Sequence, residues 1–242
     1  MPAERAPRLD ARLRAAASLV RGGGAAADIG CDHGKLTAFL ALRGDLTGVI
    51  GTDLRPGPLA SARATCAAAG CLDRVQLRLG PGLAPLAPGE AQDIVLAGLS
   101  AGTIQQILEA APWVQSPGVR LVLAPATRHG QLRAWLCRRG FALLEDLPVR
   151  AAGRWYAVMA AGYTDAPTQP GPAFCVLGRT GAHPEAGGYR AQEFAKLEKI
   201  CRGLRPGPQK DALCAVLRGE AQPEEPLPQR PVQQTKGCCT AW

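Results

Sequence analysis

The chain has 242 residues, of which 47% are hydrophobic and 20% charged, so it can bury a core and is not disordered throughout. Its 28 basic and 20 acidic residues give a net charge of +8, which is compatible with a polyanionic partner. No apolar run reaches the roughly 18–20 residues that a membrane span needs, and the N-terminal stretch lacks the apolar segment of a signal peptide, so we expect a cytoplasmic protein without membrane contact.

A helix is predicted first, over Pro7–Val20, where leucines and alanines recur at helical spacing until a run of three glycines. Arg8 and Arg12 belong to this segment. These arginines predict either a solvated helix face or a basic surface that touches a polyanion.

Short apolar strands and helices then alternate along the chain. The predicted strands are Ala25–Ile29, Val49–Thr52, Val75–Leu79, Ile94–Ala97 and Arg120–Ala124. The predicted helices are Lys35–Leu42, Leu59–Ala69, Thr103–Ala110 and Gln131–Arg139. Two more strands, Phe141–Val149 and Trp155–Ala161, leave room only for a hairpin turn. Five β/α units closed by a hairpin predict an α/β fold with a doubly wound, mainly parallel, seven-stranded sheet.

The composition changes after residue 162, which we take as the end of the sheet domain (1–162). Residues 163–188 are rich in proline and glycine and are predicted to form a linker. Residues 189–219 carry two amphipathic segments, Tyr189–Leu204 and Asp211–Leu217, which predict a small helical hairpin. Residues 220–242 are rich in Pro, Gln and Glu and are expected to be a disordered tail.

The first strand runs into a turn that carries both glycines and acids, Asp28 to Gly34. Glycines at such a position let the backbone approach a ligand closely. Asp32 stands where a dinucleotide fingerprint has its second glycine, which disfavours a nicotinamide dehydrogenase. Two carboxylates beside a pyrophosphate would repel it, whereas S-adenosylmethionine carries a sulfonium and an ammonium group. The turn therefore favours S-adenosylmethionine as the ligand.

A third acid, Asp53, follows the second predicted strand. The carboxyl ends of parallel strands meet at one edge of a sheet, so Asp53 is expected beside the glycine turn. A carboxylate there can accept hydrogen bonds from both ribose hydroxyls. Together with the closing hairpin, this arrangement is typical of a class I methyltransferase.

Several segments resemble bacterial tRNA (adenine(22)-N1)-methyltransferases, from about residue 9 to residue 217. The most specific is Ala27–Leu36, read ADIGCDHGKL, followed by the Gly-Pro-Leu of Thr52–Leu59. Further matches are Gly80–Leu83, the Leu-Arg-x-Trp of Gln131–Leu136, Tyr156 and Glu193–Lys199.

The resemblance implies a methyltransferase that uses S-adenosylmethionine without a metal and forms N1-methyladenine in tRNA. The implied cofactor-binding residues are Asp28, Gly30, Cys31, His33, Asp53, Leu54, Gly82, Ala97 and Gly98. Asp32 is the candidate catalytic residue, through stabilisation of the cationic product or acceptance of a proton from the adenine N6. Its alternative role is the N-cap of the following helix. The candidate substrate-binding residues are Arg8, Arg12, Ser100 and Tyr156.

Two loops depart from the family pattern and keep other functions open. Gly98–Ala101 reads GLSA where the family has GMGG, and Ala124–Ala126 reads APA where the family has QPN. The first alternative is therefore a catalytically impaired member of the family that binds cofactor or RNA without turnover. The second is a methyltransferase with a different substrate.

Overall fold

Seven strands form one sheet in the order β3-β2-β1-β4-β5-β7-β6. This computed structural model describes residues 6–224 and residue 226. The strands are β1 (Ala25–Ile29), β2 (Gly48–Asp53), β3 (Val75–Leu79), β4 (Asp93–Ala97), β5 (Arg120–Ala124), β6 (Phe141–Ala151) and β7 (Arg154–Tyr163). Strands β1 to β5 are parallel, and β7 pairs antiparallel with both β5 and β6. The predicted doubly wound sheet with a closing hairpin is confirmed.

Helices cover both faces of the sheet, because β-strands buried on two sides need an apolar layer on each. They are α1 (Ala11–Leu19), α2 (Lys35–Ala41), α3 (Pro56–Ala69), α4 (Ala101–Glu109), α5 (His129–Arg138), α6 (Pro172–Leu177), α7 (Ala186–Gly203) and α8 (Pro208–Leu217). One apolar cluster contains Ile94, Leu96 and Leu121 with α4 and α5. The other contains Val95 and Val122 with α1, α2 and α3. No helix in the described part of the chain is long and apolar enough to cross a bilayer.

The polypeptide between β3 and β4 forms turns rather than the helix that a complete fifth β/α unit requires. Proline and glycine interrupt this stretch at Gly80–Gly82 and again at Pro88 and Gly89, and they prevent a continuous run of helical hydrogen bonds. Leu83 and Leu86 anchor the connection in the core. The first residues of the loop, Gly80–Gly82, lie beside the end of β2, where the Gly82 carbonyl accepts from the Thr52 hydroxyl at 3.2 Å.

Residues 163–188, predicted as a linker, contain helix α6 and the first residues of α7. Phe174 is 2% exposed and belongs to the core beneath the sheet, while Ala173 packs with α7 and α8. The segment therefore attaches the C-terminal helices to the sheet domain. The predicted helical pair is present, and its first helix begins earlier than expected, at Ala186. Of the predicted tail, residues 225 and 227–242 lie outside the described residues.

Candidate active site

A cavity of about 770 Å³ opens where the strand order reverses, between β1 and β4. This is the position at which open α/β sheets bind ligands. It brings together the ends of β1, β2 and β4 with the loop after β3. Eleven of the predicted site residues line it: Arg12, Asp28, Gly30, Cys31, Asp32, His33, Asp53, Leu54, Gly82, Ala97 and Gly98.

The turn after β1 is held by the neighbouring strand. The backbone amides of Gly30 and Cys31 both donate to the carbonyl of Thr52, at 2.8 Å each. Asp28 lies beneath this turn, is 3% exposed, and accepts a hydrogen bond of 2.6 Å from the Thr37 hydroxyl. Burial raises the pKa of Asp28 to about 6. The carboxyl group therefore takes up its proton at a higher pH than an exposed aspartate does.

Asp32 stands at the mouth of the cavity in an uncommon conformation. Its φ is +49°, and 64% of its side chain is exposed. His33 Nε2 lies 3.7 Å from Asp32 Oδ2. The N-cap of α2 is Gly34, which has no side chain to cap the helix, so the structural alternative for Asp32 is wrong. Non-glycine residues with a left-handed backbone conformation are uncommon, and those that occur cluster at active sites and binding sites.

Asp53 closes the cavity from β2 and is 8% exposed. Its Oδ2 accepts from the amide of Asp32 at 3.2 Å, and its Oδ1 accepts from the amide of Arg55 at 3.0 Å. Each carboxylate oxygen can accept more than one hydrogen bond. Both oxygens therefore keep acceptor capacity for a ligand. Leu54 follows with 66% of its surface exposed, which leaves an apolar surface beside the carboxylate.

The opposite wall comes from the turn after β4. Gly98 adopts φ +81°, and the Arg12 guanidinium lies 3.7 Å from the position that a Gly98 Cβ would occupy. The same guanidinium lies over the ring of Tyr156, 5.3 Å from its centroid. Helix α1 therefore brings a cation to the rim of the cavity, although it is distant in sequence from the strands.

Three predicted substrate residues lie outside the cavity lining. Arg8 is exposed and precedes α1. The helix begins after Asp10, because the Asp10 carboxylate accepts a hydrogen bond of 2.7 Å from the amide of Leu13 and caps the first turn. Ser100 caps α4, where its Oγ accepts from the amide of Thr103 at 3.1 Å. Tyr156 reaches the rim only through Arg12.

Several lining residues were not predicted, among them Leu99, Thr103 and Ile107. Ile107 shares the apolar stripe of α4 with Ile104, so its sequence signal is that of an ordinary core residue. Cys31 also lines the cavity. Its burial, followed by the nearby charges of Asp28 and Asp53, raises the pKa of the thiol to about 12, so it stays protonated.

A Rossmann-like sheet with an antiparallel seventh strand and an acidic glycine turn at the switch point defines the methyltransferase class of α/β proteins. Residues 9–159 match the family model described as "Methyltransferase domain". The chain belongs to that family.

The relatives agree with the resemblance seen in the sequence. The chain is 31% identical over 154 residues to the tRNA (adenine(22)-N(1))-methyltransferase of Bacillus subtilis, and the match spans 64% of this chain and 65% of that relative. The structure of Streptococcus pneumoniae Sp1610 aligns with a TM-score of 0.73 and 26% identity, over 87% of this chain and 97% of that one. Sp1610 in complex with S-adenosyl-L-methionine aligns with a TM-score of 0.71 and 26% identity, over 86% and 95%.

Proposed function

We propose that the protein is an S-adenosylmethionine-dependent methyltransferase that acts on tRNA in the cytoplasm and forms N1-methyladenine. One observation carries this proposal. Asp28, Gly30 and Asp53 converge on a single cavity at the switch point, in a chain 31% identical to a tRNA (adenine(22)-N(1))-methyltransferase.

The residues present fit a sulfonium-bearing nucleoside. The cavity volume of about 770 Å³ lies in the range of ligand sites that enclose molecules of this size. Asp53 retains acceptor capacity for ribose hydroxyls, and Leu54 offers an apolar surface to a purine ring. The Asp28 carboxyl group, which accepts from the Thr37 hydroxyl, lines the cavity beside the turn that would receive the amino-acid part.

When bound, S-adenosylmethionine would supply an electrophilic methyl group, because attack of an aligned nucleophile on that carbon breaks its bond to the sulfonium and releases a neutral thioether. Adenine N1 is unprotonated at neutral pH and carries a free lone pair. The protein therefore needs to position the base and does not need to deprotonate N1 before attack. The product is cationic, and the exposed carboxylate of Asp32 can stabilise it or accept a proton from the N6 amine. To enter the cavity, the adenine must be unstacked from its neighbours or presented in a loop of the RNA.

One departure in the altered loops does not obstruct the cavity. Ala101 is fully buried in the core, so its methyl group does not narrow the ligand cavity. The loops also support each other, since the Ala126 amide donates to the Leu99 carbonyl at 2.8 Å. A catalytically impaired binder stays a second candidate, because Ala124–Ala126 offers no side-chain hydrogen-bond partner for a base.

The test combines cofactor binding with analysis of the product. Calorimetry should show binding of S-adenosylmethionine, and Asp53→Asn should weaken it by roughly 10- to 100-fold, because one hydrogen bond to a charged acceptor contributes about 1.5–3 kcal/mol. Asp73→Asn is the matched control, since Asp73 is an exposed acid at the other end of the sheet, just before β3. Mass spectrometry of nucleosides from treated tRNA should show N1-methyladenine.

The possible outcomes separate the candidate functions. Cofactor binding with no methylated nucleoside would establish the impaired binder. A different methylated nucleoside would establish another substrate. Absence of cofactor binding, or equal affinities for Asp53→Asn and the wild type, would refute the assignment of the cavity.

A further inference from the structure

A second cleft of about 580 Å³ lies between the start of α5, the start of strand β7 and helix α7. It adjoins the proposed active site at two points. The Ala126 amide, in this cleft, donates to the carbonyl of Leu99, which lines the first cavity. Tyr156 lines the second cleft, and its ring lies under Arg12, which lines the first.

The polar groups of the cleft are mostly donors. Arg128 and Arg154 line it, are exposed, and form no ion pair with any residue in the described part of the chain. Lys196 also lines it, and its Nζ lies 2.6 Å from Glu193 Oε1, so this carboxylate is neutralised. Within the described residues, the cleft therefore presents two cations without an ion-pair partner beside one neutralised pair.

The floor carries a buried polar group. His129 is 3% exposed, and its Nε2 has no hydrogen-bond partner among residues 6–224. Burial, followed by the charge of Arg133, lowers the pKa of His129 to about 4, so the ring is neutral; Glu193 and the carbonyl of Pro125 act in the opposite direction. Tyr189 Oη accepts from Arg133 Nη2 at 3.0 Å and lies 3.4 Å from His129 Nδ1.

His129 Nε2 is therefore a buried ring nitrogen whose hydrogen-bonding capacity is unused within the described residues. A ligand that reaches the floor of the cleft with a complementary polar atom would satisfy it.

Aromatic surface completes the cleft. Trp155 and Tyr156 are half-buried at the start of β7. The Trp155 backbone is held on both sides by Gln192, which accepts from its amide and donates to its carbonyl, each at 2.8 Å. Aromatic rings flanked by arginines are the combination that proteins use to bind single-stranded RNA.

We propose that this cleft binds one nucleotide of single-stranded RNA next to the nucleotide that enters the active site, with its phosphate at Arg128 and Arg154 and its base near Trp155 and His129. The inference rests on the proposed tRNA activity and deepens it. Phosphate and base-carbonyl oxygens supply the acceptors that the donor-rich cleft requires.

The direct test uses Arg128→Gln with Arg154→Gln, which removes both charges and keeps long polar side chains. Binding of unmodified tRNA should weaken about 10-fold, and the slope of log K against log salt should fall in magnitude by about 0.7, because the contacts to one phosphate are lost. Arg63→Gln is the matched control, because Arg63 is an exposed arginine on α3, at the opposite edge of the sheet. It should leave both quantities unchanged.

A second measurement reports on the floor of the cleft. The chain has three histidines, so ¹⁵N-histidine spectra contain few signals, and His183→Ala and His33→Ala variants assign them. The Nε2 resonance of His129 should shift when tRNA is added and stay in place when S-adenosylmethionine alone is added.

The outcomes distinguish this inference from the function on which it rests. Normal tRNA binding by the double variant, with the wild-type salt slope and an unmoved His129 resonance, would overturn the cleft assignment and leave the methyltransferase function intact. Failure of the wild-type chain itself to bind tRNA would overturn both.

Discussion

Asp146→Ala should be among the most destabilising single substitutions in this chain. The Asp146 and Arg133 side chains are both fully buried and form a two-point ion pair, Nε to Oδ2 at 2.8 Å and Nη2 to Oδ1 at 3.1 Å. The same guanidinium donates to the carbonyls of Cys175 and Val176 and to the Tyr189 hydroxyl. This one cluster therefore joins α5, β6, α6 and α7.

Loss of the carboxylate leaves a buried cation without its counter-ion. Burial lowers the pKa of Arg133, but the charges and hydrogen bonds of Asp146 and Tyr189 raise it by more than burial lowers it. The net shift is upward, so the group stays charged in the fold. Removing one partner of such a pair costs about 3–5 kcal/mol. With an m-value of about 3 kcal/mol/M in urea, the unfolding midpoint should fall by roughly 1–1.7 M.

Urea unfolding followed by circular dichroism measures this shift. Glu145→Ala is the control, because the neighbouring acid is exposed and its loss should cost less than about 0.5 kcal/mol. The double variant Asp146→Ala, Arg133→Met should lose less free energy of unfolding than the two single variants lose together, because it leaves no unpaired buried charge. Equal midpoints for Asp146→Ala and Glu145→Ala, or strict additivity in the double variant, would refute the reasoning.

Two other predictions concern the pH dependence of stability and a close helix contact. The pKa of Asp28 is about 6 in the fold and near 3.8 when unfolded, so the folded chain binds this proton more tightly and the free energy of unfolding falls as the pH rises from about 4 to about 6. Over that pH window, the free energy of unfolding of the wild type, measured by urea titration, should fall on the order of 2–3 kcal/mol more than that of Asp28→Asn. The same dependence on pH in both proteins would contradict this prediction. A Cβ at Gly188 would lie 2.2 Å from the Trp155 ring, whereas nothing lies within 4 Å of one at Gly187. Gly188→Ala should therefore lower the free energy of unfolding by about 1–3 kcal/mol and alter tryptophan fluorescence, while Gly187→Ala should be neutral or slightly stabilising; equal effects would show that the contact is not tight.

The cofactor side of the site could be predicted because its residues occupy strand ends. Asp28, Gly30 and Asp53 each follow or end a short apolar run, and parallel strands place such ends at one edge of the sheet. Their convergence needs only the strand order, which the alternation of strands and helices already constrains. The closing hairpin was predictable for a similar reason, since too few residues separate β6 from β7 to form a helix.

The segment at 163–188 shows where composition misleads. Its prolines and glycines suggest a linker, yet Pro172 is at the start of α6 and Gly178 is at its end, positions that these residues favour in helices. Sequence spacing over so short a helix cannot distinguish a boundary from a break. The burial of Phe174 decides it, and that contact forms only when the segment meets the sheet domain.

The sequence by itself determined the order of strands and helices and the residues at the strand ends, because these depend on local periodicity and turn chemistry. The tertiary structure decided which side chains meet across long separations in the chain. Arg12 reaches the rim beside Gly98 only because α1 packs on the sheet. Arg133, Asp146 and Tyr189 form one network only because α5, β6 and α7 pack together. Such contacts depend on packing distance rather than spacing along the chain, so no local pattern encodes them.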